Sequence, residues 1–298
     1  MSVFRGSAVA IVTPFFEDEP YKVNYEAFAR IIDDQIEKGT DAIVVCGSTG
    51  EAATMTEKEH LEVCKFCIEY VAKRVPVIAG TGSNCTRTAI ELSKEVAAYG
   101  ADALLVVSPY YNKGTQNGLY KHFRMIAEAV PETSIILYNV PSRTGGNVLP
   151  ETVARLVKDV PNIVGIKEAS GNISQVVRLM ALTNGEIELY SGNDDQVVPL
   201  MSMGGLGVIS VVANVAPKAM HDMCAKFFAG DVAGAAKIQM ESDELCGMLF
   251  SEVNPIPVKK AMNMLGFEAG PLRMPLTEME PQNAEKLRAA MERFGCFS

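Results

Sequence analysis

Short apolar runs rich in β-branched residues recur along this chain at residues 7–13, 41–47, 75–81, 101–108, 134–140, 163–170, 187–191 and 207–213. Each is bounded by Gly, Pro, Asn or Ser, the punctuation expected of strands. The segments between them carry a helical period instead. Residues 56–73 open with the capping box Thr56-Glu57-Lys58-Glu59 and place Leu61, Cys64, Ile68 and Val71 on one face. Asn24 suits the cap of a helix ending at Gly39, and a further helix ends at Gly100. Pro150 fits the first turn of a helix that stops before Pro161, and Asn172 starts another.

A strand-helix unit repeated eight times is the result. Strands this apolar are buried on both faces, which implies a parallel sheet, and eight units in about 215 residues fit a closed (β/α)8 TIM barrel. An open doubly wound sheet is the alternative, but Gly80-Thr81-Gly82 is followed by no third glycine and no GxxxxGK[ST] loop occurs. Past residue 214 the pattern is helical, notably at 217–228, 257–265 and 282–294. The expected organisation is a barrel core over residues 1–215, then a barrel-closing helix and a C-terminal helical bundle over 216–298.

Composition narrows the function. With 298 residues, 48% of them hydrophobic, the chain can bury a large core. A net charge of -9 disfavours a nucleic-acid partner, because such surfaces concentrate Lys and Arg against phosphate. A small-molecule partner is expected. The Met1-Ser2-Val3-Phe4-Arg5 start has no apolar core of a signal peptide, and no run approaches the roughly 18 apolar residues of a membrane span. A cytoplasmic location without membrane contact is therefore expected. The seven cysteines are odd in number and scattered in apolar surroundings, as buried reduced thiols would be. Cys64 and Cys67 have CxxC spacing, but no second pair or nearby histidine is read as completing a zinc site. No cofactor and no metal are called for.

The chemistry centres on Lys167, a lone cation inside Ile163-Val164-Gly165-Ile166-Lys167-Glu168-Ala169-Ser170. Burial lowers the pKa of a lysine, and the neutral amine is a nucleophile toward carbonyl compounds. A lysine that snorkels from a strand end is the other reading of this segment. In (β/α)8 barrels the site lies at the C-terminal ends of the strands. Those ends carry Thr13, Gly47-Ser48-Thr49-Gly50-Glu51, Ser108-Pro109-Tyr110-Tyr111-Asn112, Tyr138-Asn139-Val140-Pro141-Ser142-Arg143-Thr144 and Ser191-Gly192-Asn193-Asp194. Hydroxyls of Tyr138, Tyr111 and Thr49 or Ser48 suit the proton transfers that imine chemistry demands. The turn 47–50 is either an ordinary tight turn or a backbone anion site, and Arg143 suits a second carboxylate or a surface ion pair. An aldolase acting on keto acids accommodates the whole set.

These residues resemble the class I aldolases of the dihydrodipicolinate synthase and N-acetylneuraminate lyase family. The resemblance runs nearly the full length, through residues 8–15, 47–51, 80–84, 108–112 and 165–170, and the 138–144 loop with Arg143 resembles the synthase branch. It implies that Lys167 forms an imine with pyruvate while Tyr138, Thr49 and Tyr111 relay protons, Tyr111 reaching across a dimer interface. Ser48 stands where threonine is usual and keeps the hydroxyl. Backbone around Ser48 and Thr49 would hold the pyruvate carboxylate, Gly192 and Ile209 would line the pocket, and Arg143 would take the carboxylate of aspartate semialdehyde. The implied reaction is condensation of pyruvate with aspartate semialdehyde and closure to 4-hydroxy-tetrahydrodipicolinate, the first committed step toward diaminopimelate and lysine, in a homotetramer built from tight dimers. The family's lysine-effector site survives in part at Ala53, His60, Asn84 and Tyr110, whereas Ala52, Glu57 and Thr88 depart from it, so feedback by lysine is expected to be weak or absent. The competing readings are a lyase acting on N-acetylneuraminate or a 2-keto-3-deoxy sugar acid, and a pyruvate-binding sensor without turnover.

Overall fold

The structure is a computed structural model that describes residues 2–297. Its strands are β1 (Gly6–Ala10), β2 (Ala42–Val45), β3 (Val77–Gly80), β4 (Ala103–Val107), β5 (Ser134–Asn139), β6 (Ile163–Glu168), β7 (Glu188–Ser191) and β8 (Gly207–Ser210). They pair in sequence order, all parallel, and β8 returns to β1, so the sheet closes as the expected (β/α)8 barrel. Helices alternate with the strands, beginning with Tyr25–Glu37, Glu57–Val71 and Thr86–Ala98. The sequence signals for these helices act locally. Asn24 accepts from the Ala27 N–H, Thr56 and Glu59 form both halves of the capping box, and Pro150 occupies the first turn of Pro150–Asp159.

Strand alternation divides the apolar residues into two layers. Ala8, Ala10, Val44, Ile136, Tyr138, Tyr190 and Ile209 fill the barrel, while Val9, Ile11, Ile43, Leu137 and Leu189 face the helices. At the seam between β8 and β1, Asn214 accepts from Val12 N–H at 3.1 Å and donates to the Ala10 carbonyl at 2.8 Å. The C-terminal helices Pro217–Phe228, Val232–Glu241, Asp243–Leu249, Ile256–Met264 and Pro281–Phe294 follow. The first of these packs on β1 and completes the ring; the remainder pack on one another and on the barrel's rim.

One irregularity decides where Lys167 points. Along β5 and β6, Ile135 pairs with Ile163, yet Ile136 pairs with Gly165, so Val164 is an extra residue in β6. A one-residue shift exchanges the faces of a strand. Ile163 and Ile166, three positions apart, accordingly both face the helices, while Val164 packs on the interior cluster. Lys167 then pairs with inward Tyr138 on one side and inward Tyr190 on the other. Without the bulge, a strictly alternating strand would put Lys167 on the same face as Ile163, among the helices. Gly165 makes this close packing possible, since a β-carbon there would sit 2.6 Å from the Glu188 carbonyl oxygen.

Gly165→Ala is expected to destabilise the fold by about 1–3 kcal/mol through overpacking at the bulge. Denaturant unfolding measures it, and an unchanged midpoint would mean that the bulge has room for a methyl group.

Candidate active site

The C-terminal rim of the barrel opens into a cavity of about 850 Å³ lined by Ser48, Thr49, Tyr138, Arg143, Lys167 and Gly192, among others. Lys167 is 6% exposed. Its amine lies 4.5 Å from the centroid of the Tyr138 ring, and no hydrogen bond or ion pair to it is made among the described residues. Burial pushes its pKa from the ordinary 10.5 to about 8; Asp194 opposes that shift and the Arg143 charge adds to it. Gly192 gives the lysine its room, because a β-carbon there would lie 3.1 Å from Lys167 Cε. The Tyr138 phenol is buried beside it, and burial pushes its pKa up to about 12, so it stays protonated at neutral pH.

The turn after β2 is held from below. Cys46 and Glu51 both adopt left-handed backbone conformations, and Gly50 N–H bonds the Gly47 carbonyl at 3.1 Å. Thr13 donates its hydroxyl to the Gly50 carbonyl at 2.8 Å. Among the described residues the N–H groups of Ser48 and Thr49 have no protein acceptor, so both are available to an anion. Glu51, at the end of the turn, is buried and accepts from Lys259 Nζ at 2.6 Å and Arg273 N–H at 3.0 Å. The C-terminal region thus grips the turn that frames one side of the cavity.

Asn254 was not singled out from the sequence and Asp194 was named only as part of the strand end 191–194, without a role; both prove central. Asn254 follows the helix Asp243–Leu249 in the tail, where no strand-end rule points to it. Its side-chain amide donates to Thr49 Oγ1 at 3.0 Å, leaving the threonine hydroxyl proton for another acceptor. Its carbonyl accepts from Arg143 Nη2 at 2.8 Å, which fixes the guanidinium at the cavity mouth. Asp194 is 3% exposed and accepts from the Ser210 hydroxyl and from the Val211 and Val212 N–H groups at 2.9 and 3.3 Å. Burial raises its pKa, while the three donors and the Lys167 charge act in the opposite direction.

The remaining expectations separate by place. Ile209 is 1% exposed and packs in the barrel layer with Tyr138. It is not on the cavity wall and acts there only as support. Tyr111 is 90% exposed and is not on the wall of the cavity of its own chain. Ala53, His60 and Tyr110 line a second cavity of about 520 Å³ together with Ala52, Glu57 and Thr88. Asn84 is not on that wall; its carbonyl accepts from Asn112 Nδ2 at 3.0 Å. His60 is turned inward, with Nε2 2.7 Å from the Gly80 carbonyl.

A closed (β/α)8 barrel with a desolvated lysine among hydroxyls and anion-binding groups at its C-terminal rim defines an enzyme of the barrel-lyase class. The chain belongs to the dihydrodipicolinate synthetase family, whose model matches residues 3–294. It is 57% identical over 295 residues, 99% of each chain, to a protein of Lachnoclostridium phytofermentans named 4-hydroxy-tetrahydrodipicolinate synthase. A relative of the same name from Thermoanaerobacter sp. is 54% identical over 99% of this chain and 98% of its own. Among solved structures, the chloride-inhibited dihydrodipicolinate synthase of Acinetobacter baumannii complexed with pyruvate is 46% identical, with a TM-score of 0.94 over 98% of this chain and 99% of that one. These matches support the synthase reading over the sugar-acid lyase and the silent sensor.

Lys259→Met would leave the Glu51 carboxylate buried without its cation, which is expected to cost about 3–5 kcal/mol. Adding Glu51→Gln should recover part of that loss. Urea unfolding of the single and double variants reads it, and equal stabilities of wild type and Lys259→Met would contradict the role given to the pair.

Proposed function

We propose that this chain condenses pyruvate with aspartate semialdehyde through an imine on Lys167 and releases 4-hydroxy-tetrahydrodipicolinate. The observation that carries the reading is the Lys167 amine: buried, without a hydrogen-bonding partner among the described residues, and pushed down to about 8. An amine in that state adds to the pyruvate carbonyl, and loss of water leaves the imine. Ser48 and Thr49 N–H groups receive the pyruvate carboxylate, and the Tyr138 and Thr49 hydroxyls pass the protons. Deprotonation of the imine's methyl group gives an enamine, which attacks the aldehyde carbon. The amine of the semialdehyde then displaces Lys167 as the ring closes. Arg143, held open to the cavity by Asn254, pairs with the carboxylate of the second substrate.

Tyr111 completes the relay from a second copy of the chain, in a tight dimer that pairs into a tetramer. Its 90% exposure and left-handed backbone, with Tyr110 also 39% exposed beside it, support a role outside its own cavity. The seven cysteines are all free, which supports a reducing, cytoplasmic setting.

Three outcomes are expected. Arg143→Ala lowers kcat/KM for aspartate semialdehyde roughly 10- to 100-fold, the worth of a charge-assisted hydrogen bond or two, and leaves imine formation with pyruvate intact. Robust cleavage of a sugar acid by that variant would instead favour the lyase reading. The rate of imine formation rises with pH and levels off above about 8, since only the neutral amine attacks. Removing the carboxylate that favours the ammonium, in Asp194→Asn, moves this inflection to lower pH; an unmoved inflection would show that Asp194 does not bear on the amine. In light scattering the wild type is expected as a tetramer, with Tyr111→Phe slowing turnover in the same assembly. A fully active monomer would exclude a shared site.

A further inference from the structure

Outside the proposed site, one cluster of nucleophilic and metal-ligating side chains among the described residues has no part in the reaction. Cys46 leaves the end of β2, while His60 and Cys64 stand one turn apart on the helix Glu57–Val71. All three are buried, and one ligand atom from each lies within 4.8 Å of the others. Cys67, the other half of the CxxC spacing, is outside the group. This corrects the reading that Cys64 has no histidine near it: His60 is four residues before it and shares its helix face, and the second sulfur comes from the strand.

We propose that Cys46, His60 and Cys64 bind a soft d10 metal ion of the zinc type. The donor set is two sulfurs and one imidazole, the ligands such ions prefer. The histidine is already oriented for it. Its Nε2 lies 2.7 Å from the Gly80 carbonyl, an arrangement that commits that nitrogen to donate and leaves Nδ1 as the lone-pair nitrogen. A backbone carbonyl behind the distal nitrogen is how ligating histidines are held. Zn–S and Zn–N bonds of about 2.3 and 2.0 Å put ligand atoms roughly 3.5–3.8 Å apart, so the separations shorten by about 1.3 Å at most on loading.

Charge and access also fit. Two thiolates balance a divalent cation in a site that could not otherwise carry a net charge. Both thiols lose their protons as the ion binds, as thiolate ligation requires. Cys46 and His60 are also part of the wall of the 520 Å³ cavity, which gives a small ion a route inward. The bound ion would tie the end of β2 to the helix Glu57–Val71, directly ahead of the Ser48-Thr49 turn.

Cadmium titration of the reduced full-length protein tests this. One equivalent is expected to produce a thiolate-to-cadmium absorption band that is abolished in Cys46→Ser and Cys64→Ser, weakened at least tenfold in affinity in His60→Gln, and retained in Cys67→Ser and in Cys85→Ser, which removes the exposed thiol. In the unsubstituted protein, the 113Cd resonance should report two sulfurs and a nitrogen, a readout that does not depend on any variant folding. Absence of the band at one equivalent, its loss in Cys85→Ser, its persistence in a folded Cys64→Ser, or an oxygen-only 113Cd resonance would each overturn the proposal.

Discussion

Everything at the rim of this barrel follows from keeping one lysine amine out of water without giving it a permanent partner. A shift of Lys167 from 10.5 to about 8 corresponds to roughly 3 kcal/mol against its charged form, strain that a well-packed barrel of this size can absorb. A closer carboxylate would remove the strain and the reactivity together. Asp194 instead spends its lone pairs on Ser210 and on two backbone N–H groups, so it faces the lysine as a field and not as a hydrogen-bond partner. Tyr138 supplies the face of an aromatic ring, which tolerates a cation but does not trap a neutral amine.

The scaffold that meets this demand comes from distant parts of the chain. The bulge in β6 turns Lys167 inward, and Gly192 on the neighbouring β7 end leaves space for its stem. The tail then fixes the opposite wall: Lys259 and Arg273 bind Glu51, and Asn254 bridges Thr49 and Arg143. A (β/α)8 barrel closes without these residues. Their contribution is to pre-set the turn and the guanidinium, so that less of the binding energy of the substrates is consumed in ordering them.

The architecture was legible in the sequence because strand and helix periods are local, and eight apolar runs with capped helices between them admit few other packings. Caps at Asn24, Thr56 and Asn172 act within four residues, and the structure places them at the helix starts where they were read. Lys167, Tyr138, Thr49 and Arg143 were legible as strand-end residues of a barrel. Asn254 was not, since its importance rests on contacts across about 200 positions of chain that no periodicity encodes. The inward aim of Lys167 was also hidden: simple alternation assigns it the face of Ile163, and only the pairing with β5 reveals the extra residue. Cys46 beside Cys64 is a third case, in which a strand and a helix bring together side chains whose spacing in sequence carries no motif.

Borohydride reduction of the protein incubated with pyruvate, followed by peptide mass spectrometry, tests the central claim most directly. The account predicts a single pyruvyl adduct, on the peptide carrying Lys167, formed faster as pH rises toward 8. An adduct on another lysine, such as the equally buried Lys259, or no adduct at all, would contradict it.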